Sequence, residues 1–140
     1  TTFPAGSGSG APTVTVTAPA SGWAAGENTF TVACDKACVV LVKSGETYTK
    51  LTASDADGAH SFTATLAEGD EIIVRLKGDV NGDGMISAAD FGQAKAAALG
   101  YLSLSGANLH CATVSGGTSV RAADFGQIKA VALGNLTFKW

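Results

Sequence analysis

Charge is scarce in this chain: 9 Lys and Arg and 12 Asp and Glu among 140 residues, 15% in all, with a net charge of -3. That balance gives no basic footprint for nucleic acid. Long apolar runs are missing as well, so no segment has the length of a membrane-spanning helix. Cysteine is represented only by Cys34, Cys38 and Cys111, an odd count that cannot pair completely within one chain. The Cys34-Asp-Lys-Ala-Cys38 spacing suits either a short bridge across a hairpin turn or two buried thiols. A zinc site of that type would need further Cys or His ligands that the sequence does not supply. Neither a Gly-x-Ser-x-Gly elbow nor a pair of acids in a recognisable pocket is present. His60 falls in a strand run, His110 beside Cys111, and Glu46, Glu68 and Glu71 at turns or strand edges, so no catalytic role is expected. The chain opens at Thr1 with neither Met nor a signal-like segment, and is expected to be a mature or excised piece of something longer.

What is present is the composition of a folded protein, 46% hydrophobic with a mean hydropathy of +0.23. Residues 1–10, TTFPAGSGSG, have the make-up of a flexible linker. Over residues 11–77 the hydrophobic period is close to two: TVTVTA, ENTFTVAC, ACVVLVK, ETYTKLT, HSFTATL and DEIIVRL, separated by Gly, Asp, Asn or Ser. Phe30, Val32 and Cys34 share a face, as do Phe62, Ala64 and Leu66, and Ile72, Val74 and Leu76. Six such strands predict a small Ig-like antiparallel β-sandwich. The SDADG run around Asp55, Asp57 and Gly58 reads as a plain turn.

After Lys77 alternation gives way to Ala-rich helical spacing, over 88–99 and 122–133, each segment ended by a glycine, Gly100 and Gly134. ISAADFGQAKAAALGYL from Ile86 aligns with VRAADFGQIKAVALGNL from Val120 at an offset of 34, with 12 of 17 positions identical. Two loop-helix units are therefore expected, burying Phe91, Leu99 and Leu102 against Phe125, Ile128, Val131 and Leu133. Phe138 and Trp140 should pack back on the same module. The fold class is thus mixed: an all-β sandwich over 11–77 followed by an α-helical module over 78–140.

The loop ahead of the first helix reads GDVNGDGMISAAD. Counting from Asp79, oxygen donors fall at Asp79, Asn81, Asp83 and Ser87, with Asp90 in the twelfth place, Met85 offering a backbone carbonyl and Gly84 at the sharp turn. Alternate side chains converging on one hard cation, with glycine to let the chain fold round it, is the pattern of a Ca2+ loop. Magnesium fits less well, because it demands tight octahedral geometry and keeps its waters. An Asn-Gly and Asp-Gly pair also favours a simple hairpin turn, but a hairpin gives no reason for Asp90 at a helix start.

The final ligand is Asp rather than Glu, and a strand, not a helix, runs into the loop. With the duplicated Ala-Ala-Asp-Phe frame, residues 78–134 resemble a type I dockerin domain. That resemblance implies an EF-hand-like pair of loop-helix repeats that binds Ca2+ and docks onto the cohesin domain of a scaffoldin. The setting it implies is an extracellular, cellulosome-like complex for polysaccharide degradation, with a secreted or cell-surface location. The segment before it is similar in position and fold class to the accessory X modules that precede some dockerins.

In the second repeat the first, third and fifth loop positions are Thr113, Ser115 and Gly117, Thr118 stands at the turn, and only Asp124 survives as a carboxylate. Calcium affinity follows ligand charge and rigidity, so this loop is expected to bind weakly or stay empty, with Thr113 and Ser115 holding it by local hydrogen bonds. The resemblance further implies partner contacts at Ala88, Ala89, Lys95 and Ala96 in the first repeat and at Ala122, Ala123, Lys129 and Ala130 in the second, usable in either of two orientations. Alanine is also the best helix former, which is reason enough for it on a helix. A carbohydrate-binding sandwich would need an exposed aromatic platform, for which Trp23 and Tyr48 are the candidates. A calcium-stabilised structural segment without a cohesin partner is the alternative reading.

Overall fold

The structure, a computed structural model, describes residues 4–5, 15–19, 22–34, 36–52 and 60–138. Its elements are β1 (Pro4–Ala5), β2 (Thr15–Thr17), β3 (Gly26–Ala33), β4 (Cys38–Ser44), β5 (Thr47–Lys50), β6 (His60–Leu66), β7 (Glu71–Leu76), α1 (Ala88–Ala98), α2 (Gly106–Ala112) and α3 (Ala122–Ala132). The class is mixed, with two small sheets and three helices. One sheet runs β1-β7-β4-β5 and the other β2-β3-β6. All neighbours are antiparallel except β1 and β7, which pair in parallel through Pro4 with Ile72 and Ala5 with Ile73. Two residues of the run read as a tether therefore belong to a sheet. The SDADG turn and Trp140 lie outside the described residues.

Alternation explains why the sheets meet. Phe30 and Val32 of β3, Phe62, Ala64 and Leu66 of β6, and Ile72, Val74 and Leu76 of β7 share one buried cluster with Cys38, Val40 and Val42 of β4. Phe30 lies opposite Phe62 in the β3–β6 register and stacks on it at 5.7 Å between centroids. Trp23 packs on Phe30 at 5.2 Å. β4 breaks the alternation: Cys38 through Val42 are all buried, because Val39 and Leu41 on its outer face are covered by Ala107 and Cys111 of α2, with Tyr48 and Ile73 alongside. A strand buried on both faces reads as an unbroken apolar run.

Cys34 and Cys38 are not joined by a disulfide. They sit at strand ends in different sheets, Cys34 just after β3 and Cys38 opening β4, and both are occupied with the core between those sheets. The Cys38 thiol donates to the Lys36 carbonyl at 3.6 Å.

The helices form a third cluster around Val80, Ala94, Ala112 and Ile128, with Phe91 and Phe125 edge to face at 5.9 Å. Ala97 and Ala98 at the end of α1 share a cleft with Val120, while Val131 at the end of α3 shares one with Ile86. Each helix thus ends beside the other's loop, so α1 and α3 run antiparallel. Phe138 joins this cluster. Leu99, Leu102 and Leu133 do not: they are 58%, 39% and 64% exposed. Leu99 and Leu133 close their helices just before Gly100 and Gly134, where φ turns to 85° and 80° and carries the chain away from the partner helix. No described helix is long and apolar enough to cross a membrane.

Candidate metal centre

The first loop leaves β7 through a turn at Gly78, whose N–H donates to the Cys111 carbonyl at 3.0 Å. Asp79 and Asp90 are fully buried. The Asp79 carboxylate gathers the loop's amides: Oδ1 accepts from Gly82 at 3.0 Å and Asp83 at 3.2 Å, and Oδ2 accepts from Gly84 at 2.9 Å. Bonds of shorter sequence span follow along the loop, from the Asp83 N–H to Asn81 Oδ1 at 3.2 Å and from the Met85 N–H to Asp83 Oδ1 at 3.0 Å. Asp90, third residue of α1, reaches back to accept from the Asn81 N–H at 3.2 Å and the Ser87 N–H at 2.8 Å. Aspartate at that position satisfies helix-end amides that have no partner within the helix. Met85 is 52% exposed at the loop's tip, and Ser87 is the N-cap of α1.

This wrapping brings carboxylate oxygens of Asp79, Asp83 and Asp90 within 4.8 Å of one another. Two oxygens on opposite sides of a calcium ion, each at about 2.4 Å, are separated by about that distance, so the three carboxylates are close enough to share one ion of that size. The two buried carboxylates, Asp79 and Asp90, are in tension without a cation. Burial pushes the Asp79 carboxyl up to about 6, opposed by the Gly84 N–H and reinforced by the charges of Asp90 and Asp83. Asp90 is raised for the same first reason, against the N–H groups of Ser87 and Asn81. A bound divalent ion reverses that balance and favours the ionised forms. Among the described residues this is the one group of three acidic, His or Cys side chains close enough for such a role.

The second loop closes differently. Asp124 is fully buried, and its Oδ1 accepts from both the N–H and the hydroxyl of Ser115, at 2.8 and 2.6 Å, while Oδ2 accepts from the Arg121 N–H at 2.7 Å. Thr113 points away from the loop: its hydroxyl donates to the Leu109 carbonyl of α2 at 3.1 Å. The Arg121 guanidinium occupies the space where a Cβ on Gly117 would stand.

The helical face carries the remaining candidates. Ala88, Ala89, Ala122 and Ala123 are exposed, Lys95 and Lys129 are exposed, and Ala96 and Ala130 are half-buried. The two lysines converge: Lys95 Nζ lies 5.8 Å and Lys129 Nζ 5.5 Å from the Phe91 ring centroid, a cation–π distance. The aromatic pair considered for sugar is not brought together, since Trp23 packs on Phe30 in the core between the two sheets and Tyr48 lies against Gly106 of α2.

Helix α2 was not foreseen from the sequence, nor was Arg75, whose guanidinium donates to the Val80 carbonyl at 3.3 Å and to Asn108 Oδ1 at 2.6 Å. No family model matches this chain, and no curated protein or solved structure matches it either.

Proposed function

We propose that this chain is a non-catalytic, calcium-dependent docking module: a dockerin over 78–140 that anchors a secreted protein to the cohesin domain of a scaffoldin, preceded by an Ig-like accessory sandwich. The observation that carries the reading is the convergence of the Asp79, Asp83 and Asp90 carboxylates at the head of α1, directly beside the exposed Ala88 and Ala89. One Ca2+ held by Asp79, Asn81, Asp83, Met85, Ser87 and Asp90 would neutralise the buried acids and fix the start of α1. The small side chains of Ala88, Ala89, Ala122 and Ala123 permit close approach of a partner surface. Lys95 and Lys129 give charge complementarity and orientation more than raw affinity. An extracellular, cellulosome-like setting for polysaccharide degradation belongs to the same reading.

A second reading, a calcium-stabilised structural segment with no partner in trans, draws support from α2, which packs on the sheet and leads into a loop that its own side chains close. The deciding experiment captures partners from the source organism's secreted and surface proteins on the immobilised chain, in calcium and in chelator. Recovery of a cohesin-bearing protein only in calcium is the expected result. Recovery of nothing by folded, calcium-loaded protein would favour the structural reading.

A further inference from the structure

Arg75 stands on the face of β7 that looks towards α2, since Ile72, Val74 and Leu76 take the sandwich core and Ile73 lies with the α2 cluster. Its guanidinium ties β7 to two other pieces of chain, α2 and the first loop. Nη1 donates to Asn108 Oδ1 of α2 at 2.6 Å and to the Val80 carbonyl, in the second loop position, at 3.3 Å. The guanidinium also lies directly against Gly82, in the fourth position, where an added Cβ would stand 3.0 Å from Cζ and Nη2. Gly82 is in turn the residue whose N–H holds Asp79 Oδ1 at 3.0 Å. The contacts at Val80 and Gly82 bracket Asn81, so one side chain sets the path of the stretch that carries the first two side-chain donors.

We infer that Arg75 is a positioning residue for the first loop: anchored through Asn108 on α2, it holds the loop's entering segment in the geometry that a calcium ion needs, and so makes calcium affinity depend on how the sandwich and α2 are packed. The inference rests on the calcium reading proposed above. It also has a sign that charge alone would not give. A guanidinium beside a cation site repels the cation, so a purely electrostatic role predicts tighter binding when Arg75 is removed. Positioning predicts weaker binding, since groups that orient metal ligands typically contribute 10- to 100-fold to affinity.

The test titrates Ca2+ into the full chain in competition with a chromophoric chelator, well below the unfolding temperature, for the unaltered protein, Arg75→Ala, Asn108→Leu and Asn108→Asp. Arg75→Ala is expected to weaken calcium binding by at least about tenfold. Asn108→Leu, which removes the anchor and leaves the charge, should weaken it in the same direction. Asn108→Asp keeps an acceptor for Nη1 and should retain the affinity. Amide hydrogen exchange at Gly82 and Gly84 in the calcium-bound state should quicken in the two weakened variants and not in Asn108→Asp. Unchanged or tighter binding in Arg75→Ala overturns the inference and leaves the calcium site standing. Should Arg75→Ala fail to fold, the two Asn108 variants decide, and equal affinity in them overturns it. Absence of calcium binding by the unaltered chain overturns the calcium reading and this inference with it.

Discussion

Replacing Asp79 by Asn should stabilise the calcium-free protein and destabilise the protein in calcium, and the reversal of sign is the informative part. Without a cation, burial raises the Asp79 carboxyl from 3.8 to about 6. A pKa unit corresponds to about 1.4 kcal/mol, so keeping this group ionised at pH 7 costs the fold roughly 3 kcal/mol. The amide escapes that cost but not all of the wiring. Asn Oδ1 can still accept from Gly82 and Asp83, whereas its NH2 would face the Gly84 N–H that Asp79 Oδ2 now accepts at 2.9 Å. Leaving that buried donor unpaired costs about 1 to 3 kcal/mol, so the net gain is between about 0 and 2 kcal/mol, or up to roughly 8 °C in Tm. The pH dependence follows from the direction of the shift. An acid with a folded pKa above its unfolded one keeps its proton longer in the folded state, so stability of the calcium-free protein falls as pH rises from about 4 to about 6 and then levels off. Thermal unfolding in chelator between pH 4 and 8 should show that fall in the parent chain and a shallower one in Asp79→Asn, where Asp90 still titrates upward. Calcium should raise the Tm of the parent and not of the variant. A variant less stable than its parent in chelator at pH 7, or a parent whose stability rises between pH 4 and 6, would refute the reasoning.

Calcium titration should give one site per chain, abolished by Asp90→Ala and unchanged in stoichiometry by Asp124→Ala, which instead costs about 1 to 3 kcal/mol by denaturant unfolding because the part-buried bonds from the Ser115 and Arg121 N–H groups lose their acceptor. Ile128→Ala, truncating a fully buried side chain between α1, α2 and α3, should cost about 2 to 5 kcal/mol in the same assay. Cys111 should resist alkylation at pH 8 until the protein unfolds, being fully buried with its thiol pushed up to about 12; rapid labelling of native protein would contradict that burial. If the two helical faces are used independently, neither Ala88→Arg with Ala89→Arg nor Ala122→Arg with Ala123→Arg will by itself abolish capture of a cohesin-bearing partner.

The six runs read as strands became β2 to β7, and the alternation is clearest in β3 and β6, where one face is buried against the opposite sheet and the other is not. The convergence of Asp79, Asp83 and Asp90 was legible for a related reason: the three lie within a dozen residues, so spacing alone points to their meeting. Helix α2 was not, since its seven residues are too few to display a helical period. It is held by Ala107 and Cys111 packing on Val39 and Leu41 rather than by propensity. A trace of it was nevertheless present in CVVLV, whose lack of polar alternation demands cover on both faces of β4. Leu99, Leu102 and Leu133 were assigned inward because helical spacing says nothing of where a helix stops touching its partner. Arg75 left no local signal, as its acceptors are five and 33 residues away.

The two loops also separate two roles that a single calcium loop confounds. At the twelfth position, Asp90 and Asp124 are both fully buried, and each accepts the backbone N–H of the third and ninth residues of its own loop. That pairing needs a two-oxygen acceptor at a helix start, and it persists in the second loop where the other carboxylates are gone. At the first position the loops diverge. Asp79 draws three amides inward, while the Thr113 hydroxyl turns back to α2. Closing the loop therefore depends on the twelfth residue, and charging it depends on the first and fifth. On this argument Asp124 is a structural carboxylate in its own right, and Thr113→Asp with Gly117→Asp would not suffice to restore a cation site while Arg121 still fills the space beside residue 117.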